Sequence, residues 1–130
     1  MQTYKYQEAI KGDTLYIPVL TIYSPNFTES YLLDPVINFQ IRNPKGELIL
    51  TANPLDIQAE IGQRTFNIKD EDGVPIPTSC WYLKISILIP YINMNIPAGK
   101  YYYDIQVTYN NGVRKSYKKT ELIILQDATV

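Results

Sequence analysis

Few residues in this 130-residue chain have the chemistry of a reactive site. Histidine is absent, which removes the commonest general base and the commonest metal ligand together. Neither a Ser-His nor a Cys-His nucleophile pair can exist. The one cysteine, Cys80, follows Thr78-Ser79 and precedes Trp81 at the start of a strand pattern. It reads as a small half-buried residue, because activating a thiol requires a cationic neighbour or a helix N-terminus that the sequence does not display. A lone cysteine also forms no internal disulfide. Asp70-Glu71-Asp72-Gly73 is the carboxylate cluster of the chain. Its close oxygens suit Ca²⁺, but the downstream bidentate glutamate of an EF-hand loop is missing, so a solvated turn is the better reading. Nothing else asks for a glycosidase carboxylate pair. Arg114, Lys115, Lys118 and Lys119 form a basic run that strand alternation splits between two faces, with no OB or RNA-binding signature beside it. The expectation is a non-enzymatic chain with no catalytic residues, no metal, no cofactor and no nucleic-acid partner.

Aromatic side chains are the remaining candidates. Twelve tyrosines are present, and tyrosine combines a large apolar face with a hydroxyl at low rotamer cost, which suits contact surfaces. Tyr16, Tyr23, Tyr82, Tyr102 and Tyr117 fall at strand positions whose neighbours take the core face, and they form the candidate interface. With no convergent polar pocket around them, packing against a protein neighbour is favoured over stacking on a sugar.

These residues need strands to hold them. From Tyr101 to Tyr109, apolar and polar residues alternate with period two, the pattern of a strand with one buried face. Asn111-Gly112 follows, a strong hairpin signal because both residues tolerate positive φ. Upstream, Gly99 makes a bend, and Tyr101, two residues on, is placed to tie that corner to backbone, as before strand F of immunoglobulin-like sandwiches. Gly99, Tyr101, Asn111 and Gly112 are thus the fold-determining turn residues. A second hairpin comes from Val36–Arg42, the type I turn chemistry of Asn43-Pro44-Lys45-Gly46, and a return strand from Glu47 to Ala52. Thr14–Tyr23 is a strand whose internal Pro18 demands a sheet edge or a bulge. Residues 53–80 suggest two short strands around Gly62 and a long turn over 70–77. Trp81–Ile89 is a central strand ended by Pro90, and Tyr91–Ile96 is a connector with room for a helical turn. Seven or eight short strands without a convincing helix give an all-β, immunoglobulin-like antiparallel sandwich.

By length the chain is one domain, with a short polar N-terminal arm (1–10) and a C-terminal tail (126–130) expected to order only on neighbours. Twelve basic residues against thirteen acidic ones leave a net charge of −1, so no global field draws it to nucleic acid or an anionic membrane. The N-terminus lacks an apolar signal core, and the apolar run Ile85–Ile89 is too short to span a bilayer. The expectation is a chain made and kept soluble in the cytoplasm until it is assembled.

Lys11-Gly12-Asp13-Thr14, the Ile37–Ile49 hairpin, Ile96-Pro97-Ala98-Gly99-Lys100-Tyr101 through Thr108, and Asn111-Gly112-Val113-Arg114-Lys115, in that order and spacing, resemble small immunoglobulin-like virion proteins of tailed bacteriophages. They are similar to the N-terminal sandwich of phage baseplate upper proteins, over about residues 11 to 125. Segments 24–33 and 70–80 are longer here than in that pattern. The resemblance implies an architectural role in the virion, at the tail, baseplate, neck or fibre attachment region. It also implies assembly in the host cytoplasm and contacts with other virion proteins in a symmetric multi-copy arrangement. The alternatives are a carbohydrate-binding module contacting host surface glycans and a capsid decoration protein.

Overall fold

The alternation read from Tyr101 to Tyr109 becomes a central strand in the computed structural model, which describes residues 6–126. The eight strands among the described residues are β1 (Tyr6–Ile10), β2 (Leu15–Ser24), β3 (Val36–Arg42), β4 (Leu48–Thr51), β5 (Ile57–Lys69), β6 (Pro75–Ile89), β7 (Gly99–Thr108) and β8 (Arg114–Leu125). They form a five-stranded sheet in the order β1-β8-β7-β3-β4 and a three-stranded sheet in the order β2-β6-β5. The fold is an all-β sandwich, as expected. One pairing departs from antiparallel: β1 runs parallel to β8.

Between the sheets lie Phe39, Ile41, Tyr103, Ile105, Val107 and Leu122 from one side, and Leu15, Leu83, Ile85 and Ile89 from the other, all buried. Each such aliphatic or aromatic side chain contributes about 1.5–3 kcal/mol on burial. That core gives the sandwich its stability without a covalent staple.

Three hairpins use one turn. In each, a backbone N–H donates to the carbonyl four residues on, and a glycine N–H closes the loop back: Asn43 to Glu47 with Gly46, Asp70 to Val74 with Gly73, Tyr109 to Val113 with Gly112. Gly46, Gly73 and Gly112 have φ of 85°, 80° and 89°. This is the three-residue loop made of a type I turn and a left-handed glycine. Positive φ therefore falls on Gly112 alone, and Asn111 instead accepts the Val113 N–H on its side-chain oxygen. Asp70 acts in its turn as Asn43 does in the first, its Oδ1 accepting the N–H groups of Asp72 and Val74 at 2.9 Å. The carboxylate cluster is thus a turn device, and among the described residues no cluster of potential metal ligands forms.

Pro18 behaves as its chemistry requires on both counts, since β2 is an edge strand and its register with β6 shifts between Ile17 and Leu20. The expected helical turn is a short 3-10 segment at Tyr91–Asn93. At the corner before β7, the Tyr101 hydroxyl donates to the Pro97 carbonyl at 2.8 Å, and Gly99 opens the strand with φ of 154°.

Four features differ from the expectation. The polar arm over 1–10 contributes β1, and within it Gln7 ties the layers together: its Nε2 donates to the Tyr16 carbonyl at 2.8 Å, while its Oε1 accepts the Tyr103 hydroxyl at 2.9 Å. Residues 1–5 of that arm and 127–130 of the tail lie outside the described residues. The two short strands expected around Gly62 are one strand, β5, paired with β6 without interruption from Ile57↔Ile87 to Lys69↔Pro75. The long turn shrinks accordingly to residues 70–74. Finally, Glu29–Leu32 forms one helical turn, α1, capped by Thr28, whose Oγ1 accepts the Tyr31 N–H at 3.2 Å.

Candidate interaction surface

The surface is built on the outer side of the three-stranded sheet. Along β6, Leu83, Ile85, Ile87 and Ile89 face the core, so Tyr82, Lys84, Ser86 and Leu88 face outward. Tyr16 and Tyr23 are seven residues apart on β2 and would occupy opposite faces of a regular strand. The bulge at Pro18 and Val19 changes that parity: Tyr16 is set beside Leu88 and Tyr23 beside Tyr82, both on the outer face. Tyr16, Tyr23 and Tyr82 are thereby brought together on one side of the molecule.

At the hairpin end the aromatic rings engage one another. Tyr23 and Phe66 stack with centroids 3.8 Å apart and planes 6° from parallel, although their strands flank β6 on opposite sides. Between them on the same face of β6 is Cys80, paired with Arg64 and buried, its small side chain leaving room for two rings to meet above it. Phe66 also meets Tyr82 edge-on at 6.2 Å. The Arg64 guanidinium caps both rings, 4.6 Å from the Phe66 centroid and 5.2 Å from that of Tyr82. Opposite Tyr82 on β5 is Gly62, where an added Cβ would collide with the tyrosine ring. Glycine is required there by a side chain's close approach.

At the other end of the same face, Leu55, Tyr16, Val19 and Leu88 are 87%, 67%, 55% and 40% exposed. With Gln58 and Ser86 they line an open cleft of about 360 Å³. Between the two ends runs a polar strip in which Lys84 lies 3.9 Å from Glu60, an exposed pair worth little to stability.

The other two candidate tyrosines go elsewhere. Tyr102 lies on the outer face of the five-stranded sheet, between Arg42 and Glu121, and is half-buried beside a cleft shared with Asn43, Pro44 and Lys119. Tyr117 is the extra residue of a bulge in β8, since Lys118 pairs with Ile105 and Ser116 with Gln106. That bulge defeats simple alternation, and Tyr117 packs half-buried against the core with its hydroxyl hydrogen-bonded to that of Tyr109. Tyr109 stacks in turn on Tyr31 at 4.4 Å, and the Asn110 side chain donates to the Ser30 carbonyl, fixing α1 across that end of the sandwich. Burial, followed by the hydrogen bond and charge of Tyr117, raises the Tyr109 hydroxyl far above the usual tyrosine range. Burial likewise raises Tyr103.

Sequence reasoning missed Phe66, Arg64, Leu55 and Val19. Phe66 and Arg64 are hidden by the break that Gly62 suggests, and Val19 by a bulge that the sequence offers at Pro18 only as an alternative to a sheet edge.

No protein-family model and no curated protein matches the chain. Among solved structures, it is similar to a family 123 glycoside hydrolase from Clostridium perfringens, studied for glycolipid glycan hydrolysis, with 21% identity and a TM-score of 0.40. That match covers 95% of this chain and 23% of the hydrolase chain, so this protein spans under a quarter of its length.

Proposed function

We propose that the chain is a non-enzymatic structural component of a tailed-phage virion, in the tail, baseplate, neck or fibre attachment region, acting through protein–protein contacts. The observation that carries the contact role is the outer face of the three-stranded sheet, where Tyr16, Val19, Leu55 and Leu88 stand exposed together. Clustered apolar side chains on an open face mark a surface that a neighbour covers. The phage setting comes from the sequence resemblance. Tyr23 and Phe66 give one face of each ring to the other, which leaves Tyr16 as the ring of this surface open to a sugar in the glycan-binding alternative.

Cryo-electron microscopy of the particle encoded with this gene tests the proposal. Density for the sandwich at fixed, symmetry-related positions, with Tyr16 and Leu88 against a neighbouring chain, is the expected result. A complete particle map without it overturns the virion role.

A further inference from the structure

Among the described residues there are four sheet-edge strands, and three carry features that discourage further pairing. β1 and β4 are five and four residues long, and β2 contains Pro18 and a register shift. The fourth, β5, is thirteen residues without proline, in unbroken register with β6 and, among the described residues, paired on that side only. The short helix contacts both β5 and β6, and its Leu32 joins the core. A long regular edge of this kind presents a row of backbone donors and acceptors that match another strand.

We propose that this edge pairs with the same strand of a second copy, antiparallel about a twofold axis at Gly62, joining two three-stranded sheets into a continuous six-stranded one. Charge and symmetry select this register. Directly opposed residues share a face of the sheet, and a twofold axis normal to the sheet preserves faces, so only residues an even number of positions apart can oppose each other. Glu60 can therefore meet Arg64 of the second copy but not Lys69. An axis at residue 60 would set Glu60 against itself, and one at residue 64 would do the same to Arg64, each unfavourable. An axis at Gly62 sets Glu60 opposite Arg64 twice, on the outer face where both side chains already lie. In the same register Gln58 opposes Phe66, and the two Gly62 residues meet on the axis. Pairing then runs from residue 57 to residue 67, and it closes, because the edges left over are the two bulged β2 strands.

This pairing does not depend on a virion setting, and solution measurements on the full chain test it. Sedimentation velocity is expected to show a dimer and nothing larger, with the alternate amides of 57–67 that are not already bonded to β6 gaining hydrogen-exchange protection as concentration rises. E60R and R64E each oppose like charges at two symmetric places, and each is expected to weaken dimerisation about tenfold. The double variant E60R/R64E restores the pairing and recovers the dimer. A chain that stays monomeric to about 1 mM, a Kd too weak for the paired edge proposed, overturns the proposal. So does open-ended assembly, or a double variant no tighter than the singles. If the variants fail to fold, as unfolding midpoints would reveal, concentration-independent exchange of amides 57–67 in the unmodified chain overturns it by itself.

Discussion

Tyr82 leans over Gly62 because the two are cross-strand partners on an outer face and glycine has no side chain to hold the ring away. Aromatic cover of a strand glycine shields backbone that would otherwise be exposed to water. Gly62→Ala is expected to push the ring aside, weakening its contacts with Phe66 and Arg64, and to cost about 1 kcal/mol. In a Tyr82→Ala background the same change should be neutral or stabilising, since alanine suits a strand interior better than glycine. Equal effects of Gly62→Ala in both backgrounds, by urea denaturation, would show that the ring is not the cause. At the β7 corner, Tyr101→Phe keeps the buried ring and removes only the bond to the Pro97 carbonyl. A loss of about 0.5–1.5 kcal/mol is expected, measurable as a lower denaturant midpoint at unchanged slope. The Gly99-to-Tyr101 spacing made this bond legible in the sequence, because the partners are four residues apart. The Gly62–Tyr82 contact was not, because its partners are twenty apart and meet only through the register of a hairpin.

Elements repeat that division between local and distant causes. Hairpin turns, the alternation of β3 and β7 and the disruptive effect of Pro18 are short-range chemistry, and all were readable. β1 was not: in Tyr6-Gln7-Glu8-Ala9-Ile10 the adjacent polar pair Gln7-Glu8 breaks any alternation, and its partner β8 lies at the far end of the chain. β5 was read as two pieces because Gly62 usually marks a break, whereas here the break is suppressed by a covering ring. Among the candidate tyrosines, alternation placed Tyr82 correctly and misplaced Tyr117, because a bulge depends on the partner strand. The correction has a measurable consequence. Gln7 bonds to both Tyr16 and Tyr103, so Gln7→Ala is expected to lose about 1–2 kcal/mol through two hydrogen bonds. Removing residues 1–10 should destabilise further by stripping the pairing from β8. A truncated chain with the full-length unfolding midpoint would return the segment to the role of a dispensable arm.

At the scale of the whole molecule, the sandwich has no histidine to change charge near neutral pH. Its pH dependence is expected at the alkaline end. Tyr103 and Tyr109 are buried with their hydroxyls hydrogen-bonded, and burial raises both above the ordinary tyrosine value near 10. The folded state therefore holds its phenolic protons where the unfolded chain gives them up. Since the unfolded state then binds fewer protons, stability is fully present below about pH 10 and falls as the pH rises through the raised folded-state values, at up to about 1.4 kcal/mol per pH unit for each such tyrosine. Stability from urea titrations at a series of alkaline pH values should show that decline, and Tyr109→Phe, which keeps the ring and removes the ionisable group, should make it shallower. Because Tyr109 loses its bond to Tyr117 in that variant, the curve should also start lower at neutral pH. The two curves should then converge as the pH rises. Parallel curves would mean that the buried tyrosines do not govern alkaline unfolding, and that the end of the sandwich held by Tyr109, Tyr31 and Tyr117 opens before its hydroxyls ionise.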